Sequence, residues 1–164
     1  DDSVEKNGLT PLANFLIERA CNSLHLASFL YWYLKVEAVD NTESGVFRVV
    51  FHSFIKAMKS GTKQSAHIIS MLQAQEGYIG RIADVQKLAR DEKGRKEAKE
   101  TKLRDMLHNQ ELVSVSKYSE KDRERPLSSL PMPLDPSIQV IGLDPSSAFM
   151  FRSALYPCVV EFVK

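Results

Sequence analysis

The sequence predicts a mainly α-helical protein whose last thirty or so residues begin a β-sheet. Apolar residues recur at helical spacing through roughly the first two thirds of the chain. After Leu112 this pattern stops, and a stretch rich in Ser, Pro and charge follows. Beyond Pro133, short apolar runs separated by Gly and Pro are typical of strands. We therefore expect helices first and strands last.

The totals are ordinary for a globular protein. The 164 residues are 43% hydrophobic and 26% charged, which is enough for a core of one domain or slightly more. A net charge of +1 gives no overall attraction to nucleic acid or to an anionic membrane. Cys21 and Cys158 lie far apart and predict neither a zinc site nor a disulfide framework, so a reduced cytosolic setting is expected. No apolar run approaches the roughly 20 residues that cross a bilayer.

Two helices are predicted near the start, after a polar lead-in over residues 1–9. Thr10 followed by Pro11 is a typical helix start, with Thr as the N-cap. The apolar positions of this first helix are Leu12, Phe15, Leu16 and Ala20. The second helix, LHLASFLYWYLKVEA, carries aromatic residues all round and is expected to be deeply buried. Trp32 is interpreted as core rather than as an aromatic ligand site.

Two further helices are predicted after a loop at residues 40–45. Residues 46–58 have helical spacing, although their β-branched residues would also suit a strand. Gly61 ends this helix, and Ser60 or Thr62 caps the next one, over residues 63–92. Gly77 and Gly80 interrupt that helix, which predicts a kink or a close helix contact.

A charged segment follows, and residues 90–105 are interpreted as a largely exposed helix that docks by its last turns. Residues 87–104 contain eight Lys or Arg and four Asp or Glu. A membrane- or RNA-binding face is one interpretation of this stretch. The alternating signs and the absence of interleaved aromatic residues favour a solvated helix instead.

The end of the chain is predicted to change from linker to sheet. Residues 113–133 contain five Ser and three Pro, as in a linker or long loop. Strands are predicted at 138–141, 149–151 and 158–163, with a turn at 142–147 around Asp144-Pro145. Because so few strands bury little surface, and because the last one presents an apolar edge, we expect further strands beyond Lys164 in a longer protein. The first residue, Asp1, also suggests a piece of a longer chain.

Motifs for catalysis or metal binding are absent from the sequence. His25, His52, His67 and His108 do not pair at a ligand spacing, so no metal site is predicted. G-x-S-x-G, G-x-x-x-x-G-K-[ST] and G-x-G-x-x-G do not occur.

The stretch FMFRSALYP, residues 149–157, combines two apolar runs with a small polar tip. Such a tip lets backbone N–H groups, the Ser153 hydroxyl and the Arg152 charge approach an anion. From the residues alone, however, a plain β-hairpin is the favoured interpretation.

Two stretches carry a resemblance to a known family. They are PLANFLIERACNSLHLASFLYWYLKVEA, residues 11–38, and PLDPSIQVIGLDPSSAFMFRSALYPCVVEFVK, residues 133–164. Both resemble class III phosphatidylinositol 3-kinases, the vacuolar protein sorting lipid kinases. The resemblance implies an α-solenoid-like accessory domain of antiparallel helix pairs, followed by the first strands of a kinase N-lobe. It places the helical domain at residues 1–112, a linker at 113–131 and the start of the N-lobe at 132–164.

The resemblance also implies a nucleotide site. In the family, the stretch corresponding to FRSALYP is the phosphate-binding loop that covers ATP. The residues implied to bind ATP or its phosphates are Phe151, Arg152, Ser153, Ala154 and Pro157. Arg152 stands where the family usually has Lys, which keeps the positive charge on a bulkier donor. Tyr156 stands where the family more commonly has Met.

The implied parent enzyme transfers the γ-phosphate of ATP to the 3-hydroxyl of phosphatidylinositol, with Mg²⁺ or Mn²⁺, in endosomal trafficking and autophagy. D-R-H-x-x-N and D-F-G, which supply its catalytic and metal-binding residues, are absent here, so we expect no catalytic residue and no activity in these 164 residues. The implied partners are membrane phosphatidylinositol, a protein-kinase-like regulatory subunit and a Beclin-type subunit, without nucleic acid. The implied location is cytoplasmic, peripheral on endosomal and autophagic membranes. A non-catalytic helical interaction module and a phosphatidylinositol 4-kinase-type enzyme are the alternatives.

Overall fold

Helices fill most of the chain and short antiparallel strands end it. The computed structural model describes residues 10–40, 45–109, 111–120 and 126–164. The lead-in predicted at residues 1–9 and most of the loop predicted at 40–45 lie outside these ranges. The described residues divide into a first unit, drawn from 1–73 with 133–137, and a second unit, 74–132 with 138–164. The predicted fold class, helical and then strand-forming, is confirmed.

Three helices and the start of a fourth build the first unit. A core of apolar side chains joins them, with Phe54, Met58 and Leu72 fully buried. The Oγ1 of Thr10 accepts a hydrogen bond from the Ala13 N–H at 3.2 Å, which confirms the predicted N-cap. The helices are α1 (Pro11–Ala20), α2 (Leu24–Asp40), α3 (Val46–Ser60) and α4 (Lys63–Arg90).

The caps between α3 and α4 follow the sequence prediction. Gly61 directly follows α3. Of the two residues predicted to cap α4, Thr62 takes this role, because its Oγ1 accepts a hydrogen bond from the Ser65 N–H at 3.1 Å. The Ser60 hydroxyl instead donates to the Lys56 carbonyl within α3.

Burial of α1 and α2 is more one-sided than predicted. On α1, Ile17 and Ala20 are buried, whereas Leu12 and Phe15 are exposed. On α2, Tyr31 is buried but Phe29 and Tyr33 remain 61% and 55% exposed, so the prediction of deep burial all round was wrong. The apolar residues around α2 gave no basis for choosing a face. Trp32 is half-buried and packs against the first unit's core, next to Tyr31.

The second unit packs the rest of α4 and two more helices with the strands. Its core includes Val85, Leu103, Leu107, Leu143 and Met150. Strand β1 pairs with β2, and β3 pairs with β4, both antiparallel. The new elements are α5 (Lys96–Asn109), α6 (Val115–Glu120), β1 (Leu130–Pro131), β2 (Gln139–Val140), β3 (Gly142–Met150) and β4 (Cys158–Val163).

Two predicted irregular segments contain regular structure. Helix α6 lies within residues 113–131, where we expected a linker, and Val115 in it is fully buried. The predicted turn at 142–147 is part of strand β3. The Asp144 carboxylate does accept hydrogen bonds from the Ser146 N–H and hydroxyl, as in a turn. The strand absorbs this local turn as an irregularity in the register between Asp144 and Phe149. The predicted domain boundaries stay a prediction.

Buried polar groups in the second unit are paired. The side-chain amide of Gln75 donates to the Pro131 carbonyl, and the Tyr78 hydroxyl donates to the Leu112 carbonyl. Burial, and then the neighbouring Tyr118, raises the pKa of Tyr78 far above its ordinary value, so the phenol stays a donor. A Cβ at Gly77 would lie 2.7 Å from the Tyr118 hydroxyl. Gly77 is therefore a site of the close helix contact that the sequence predicts.

Candidate functional site

Residues 151–157 form the loop of the β3–β4 hairpin, here called the tip loop. Its base is closed by a hydrogen bond from the Phe151 N–H to the Pro157 carbonyl at 2.9 Å. Within it, the Ser153 N–H donates to the Phe151 carbonyl at 3.0 Å, and the Tyr156 N–H donates to the Ser153 carbonyl at 3.2 Å. These bonds give the short polar stretch a defined shape. The predicted hairpin is therefore present.

All five predicted ATP-binding residues lie in the tip loop. Each is exposed, and Phe151 is 53% exposed with its ring edge-on to Phe149 at 5.3 Å between centroids. The structure therefore brings these residues together on one surface, and their role in binding stays a prediction. They are Phe151, Arg152, Ser153, Ala154 and Pro157.

The tip loop presents donors that could hold an anion. Within the described parts of the chain, the backbone N–H groups of Arg152, Ala154 and Leu155 make no hydrogen bond. The Ser153 hydroxyl and the Arg152 guanidinium are likewise not engaged by any described residue. Of these groups, the Ala154 and Leu155 N–H groups are adjacent in the chain, and neighbouring free N–H groups near a cation can bind an anion such as phosphate. The residues present thus suit the phosphates of a nucleotide.

Tyr156 anchors one side of the tip loop. Its φ of 44° lies in the left-handed region, which costs a residue with a Cβ about 1–2 kcal/mol. Gln86 on α4 supports this conformation, because its Nε2 donates to the carbonyls of Leu155 at 3.0 Å and Tyr156 at 2.8 Å. The half-buried Tyr156 ring also packs against the core of the second unit.

Lys99 on α5 links Tyr156 to the end of α4. Its Nζ lies 5.3 Å from the centroid of the Tyr156 ring, within range of a cation–π interaction. The same Nζ donates to the carbonyl of Arg90, the last residue of α4, and to that of Glu92 just beyond it. A cation there satisfies carbonyls that the helix leaves unpaired. Lys99 therefore belongs to a packed contact, which the prediction of a solvated charged helix did not include.

Two side chains of α5 bind the strand that leads into the tip loop. The Glu100 carboxylate accepts from the Met150 N–H at 2.9 Å and lies 3.4 Å from the Lys96 ammonium. Arg104 Nε donates to the Ala148 carbonyl at 2.8 Å. The hydrogen bond from Met150, helped by Lys96 and Arg104, holds the pKa of Glu100 below its ordinary value. Helix α5 thus fixes the last residues of β3, directly before the tip loop.

The low pKa of Glu100 predicts an acid-sensitive contact. Because the folded protein favours the carboxylate, its contribution is present at neutral pH and is lost as the pH falls through the folded pKa. Glu100→Gln is expected to lower the free energy of unfolding by about 1 kcal/mol at pH 7, since a charge-assisted hydrogen bond is weakened. Urea denaturation of both proteins should show this difference shrinking from about pH 5 towards pH 3. A difference independent of pH would contradict the assigned contact.

Sequence reasoning did not find the contacts that Gln86, Lys99, Glu100 and Arg104 make with the hairpin. These residues lie some 45 to 70 positions before their partners in the hairpin, so no local spacing reveals the contacts. At the opposite end of the hairpin, a groove of about 670 Å³ is lined by Arg104, His108, Asp144 and Val163, among others. It contains none of the predicted site residues.

Among the described residues, no three potential metal ligands lie together, and no helix is long and apolar enough to span a membrane.

Comparison with known proteins gives consistent matches. Residues 5–67 match the model of the accessory domain (PIK domain) of the phosphoinositide 3-kinase family. The chain is 33% identical over 153 residues to phosphatidylinositol 3-kinase pik3 of Schizosaccharomyces pombe, covering 93% of this chain and 18% of that protein. It is 28% identical to the root isoform of phosphatidylinositol 3-kinase of Glycine max (96% and 19%). It is also 28% identical to phosphatidylinositol 3-kinase VPS34 of Saccharomyces cerevisiae (94% and 15%). The chain therefore spans less than one fifth of the length of these relatives.

Proposed function

Because the chain belongs to the phosphoinositide 3-kinase family, we propose that it forms the helical scaffold and one wall of the ATP site of a lipid kinase. The kinase transfers the γ-phosphate of ATP to the 3-hydroxyl of phosphatidylinositol. The observation that carries the proposal is the tip loop, where a guanidinium, a hydroxyl and three free N–H groups share one exposed turn. The names of the relatives supply the substrate, phosphatidylinositol.

Each part of the tip loop has a role in this proposal. The free N–H groups of Arg152, Ala154 and Leu155 bind phosphate oxygens, and Arg152 adds a full positive charge. The Ser153 hydroxyl is a further donor. The Phe151 ring, which projects beside Phe149, lies against the nucleotide together with Pro157. These groups bind and orient ATP and form no bond to the transferred phosphoryl group.

The chemistry of transfer needs groups that these 164 residues do not carry. Bound Mg²⁺ or Mn²⁺ would neutralise charge on the phosphates, and a positioned residue would orient the attacking lipid hydroxyl. The sequence contains neither D-R-H-x-x-N nor D-F-G. We therefore assign the catalytic and metal-binding residues to other parts of a longer enzyme.

The cellular setting of the proposal rests on the family. The enzyme would be cytoplasmic and peripheral on endosomal and autophagic membranes, where it meets phosphatidylinositol. A protein-kinase-like regulatory subunit and a Beclin-type subunit would be its partners. In that assembly the helices of this chain act as a scaffold.

An assay of lipid phosphorylation tests the proposed function. With ATP, Mn²⁺ and phosphatidylinositol vesicles, the natural full-length protein is expected to yield lipid phosphorylated at the 3-hydroxyl, and the 164-residue chain none. Chromatography of the deacylated product identifies the position. Label on the 4-hydroxyl would favour the 4-kinase alternative, and no label from the full-length protein would favour a non-catalytic interaction module.

A further inference from the structure

The tip loop is connected to the helices at a particular peptide group. In a planar trans peptide, the C=O and the next N–H point in opposite directions. Gln86 binds the Leu155 carbonyl at 3.0 Å, and the N–H on the other side of the same peptide plane donates to the Ser153 carbonyl at 3.2 Å. A single rigid plane therefore connects the Gln86 side chain to Ser153.

The same amide nitrogen makes a second hydrogen bond. Gln86 Nε2 carries two N–H donors and also donates to the Tyr156 carbonyl at 2.8 Å. With Lys99 against the Tyr156 ring, two successive peptide groups are fixed where the backbone has its unfavourable left-handed φ. Such conformations persist where the surroundings determine them, and Gln86 and Lys99 provide that support.

This arrangement also separates donors from acceptors in the tip loop. The carbonyls of Leu155 and Tyr156 are engaged by Gln86, whereas the N–H groups of Arg152, Ala154 and Leu155 are left free among the residues described. A carbonyl turned towards a phosphate would repel it, because both carry negative charge on oxygen. Holding these two carbonyls on the α4 side keeps the tip loop suited to anions.

We propose that Gln86, supported by Lys99, is a positioning residue that holds the tip loop in its phosphate-binding shape. The inference rests on the proposed function, since it assigns ATP as the ligand of the tip loop. Gln86 itself contacts only the loop backbone in this role. It acts on ATP through the peptide plane that leads to Ser153.

Amide hydrogen exchange in the 164-residue chain tests the positioning directly. Gln86→Ala removes both hydrogen bonds, and we expect the amides of Ser153 and Tyr156 to exchange at least about threefold faster. Gln73→Ala is the matched control, because Gln73 is an exposed glutamine on the same helix. Gln86→Glu is a second variant, which places a carboxylate against two carbonyls and should accelerate exchange further. Circular dichroism of each variant checks that the helices are retained.

Kinetics of the full-length kinase then test the consequence for ATP. Gln86→Ala is expected to raise the KM for ATP about three- to tenfold, while kcat and the KM for phosphatidylinositol change less than twofold. A general loss of structure would instead lower kcat and affect both substrates. Gln73→Ala should leave all three constants unchanged.

The outcomes separate this inference from the proposed function. Unchanged exchange at Ser153 and Tyr156 in both Gln86 variants would overturn the positioning role, whether or not the KM for ATP changes. Faster exchange with an unchanged KM for ATP would overturn it as well. If Ser153→Asp were then also without effect on ATP binding, the phosphate-binding role of the tip loop would be wrong too. The inference is supported if exchange is faster and the KM for ATP is raised while the KM for phosphatidylinositol is not.

Discussion

Ser153→Asp is expected to raise the KM for ATP of the full-length kinase by at least about tenfold. The substitution places a carboxylate on the exposed tip loop, beside the N–H groups proposed to bind phosphate. Two like charges about 4 Å apart repel by about 1 kcal/mol in water and about 4 kcal/mol near a protein surface. Since about 1.4 kcal/mol corresponds to a factor of ten in affinity, a tenfold effect lies in the lower part of this range of repulsion energies.

Controls for Ser153→Asp separate charge from shape. Ser153→Ala removes only one neutral donor and should raise the KM for ATP a few-fold. Ser128→Asp adds the same charge at another exposed serine and should leave the KM for ATP unchanged. Higher salt should reduce the effect of Ser153→Asp, because exposed charges are screened. Equal affinity of wild type and Ser153→Asp for a non-hydrolysable ATP analogue would show that the tip loop does not bind phosphate.

Helix starts and ends were predictable because their causes are local. The cap at Thr10, the glycine after α3 and the cap at Thr62 each depend on a few neighbouring residues, and the structure confirms them. The resemblance to class III phosphatidylinositol 3-kinases is also confirmed by the family match and the named relatives. It rests on motifs that occupy contiguous stretches of sequence.

Features that depend on distant partners were not predictable. Phe29 and Tyr33 look as apolar as Tyr31, and only the packing of α2 decides which of them is buried. The hydrogen bond of Gln86 to Leu155 joins residues 69 positions apart, so no local pattern records it. Asp144-Pro145 has the composition of a turn and keeps a local turn, yet Asp144 pairs with Glu161 of β4, so the turn lies inside a strand. In each case, contacts between residues far apart in the sequence decide the outcome.

Gly142→Ala is expected to have the largest effect on stability. Gly142 is buried at the start of β3, where the backbone of residues 113–114 crosses it closely. A Cβ there would overlap the Val113 carbonyl oxygen and lie 2.8 Å from its carbonyl carbon. These atoms are backbone, and the next residues are held by the hydrogen bond from the Val115 N–H to the Ile141 carbonyl at 2.8 Å. We expect a loss of about 3 kcal/mol or more in the free energy of unfolding.

Gly80→Ala is the matched control, because it makes the same substitution with the opposite expected sign. Gly80 lies in α4 with no atom within 4 Å of an added Cβ, so alanine should stabilise the helix by up to about 1 kcal/mol. Urea denaturation followed by circular dichroism measures both changes. Equal stability of Gly142→Ala and wild type would mean that residues 113–114 do not cross β3 here. If both variants were destabilised alike, the loss would reflect glycine replacement in general, and the close backbone approach would not be its cause.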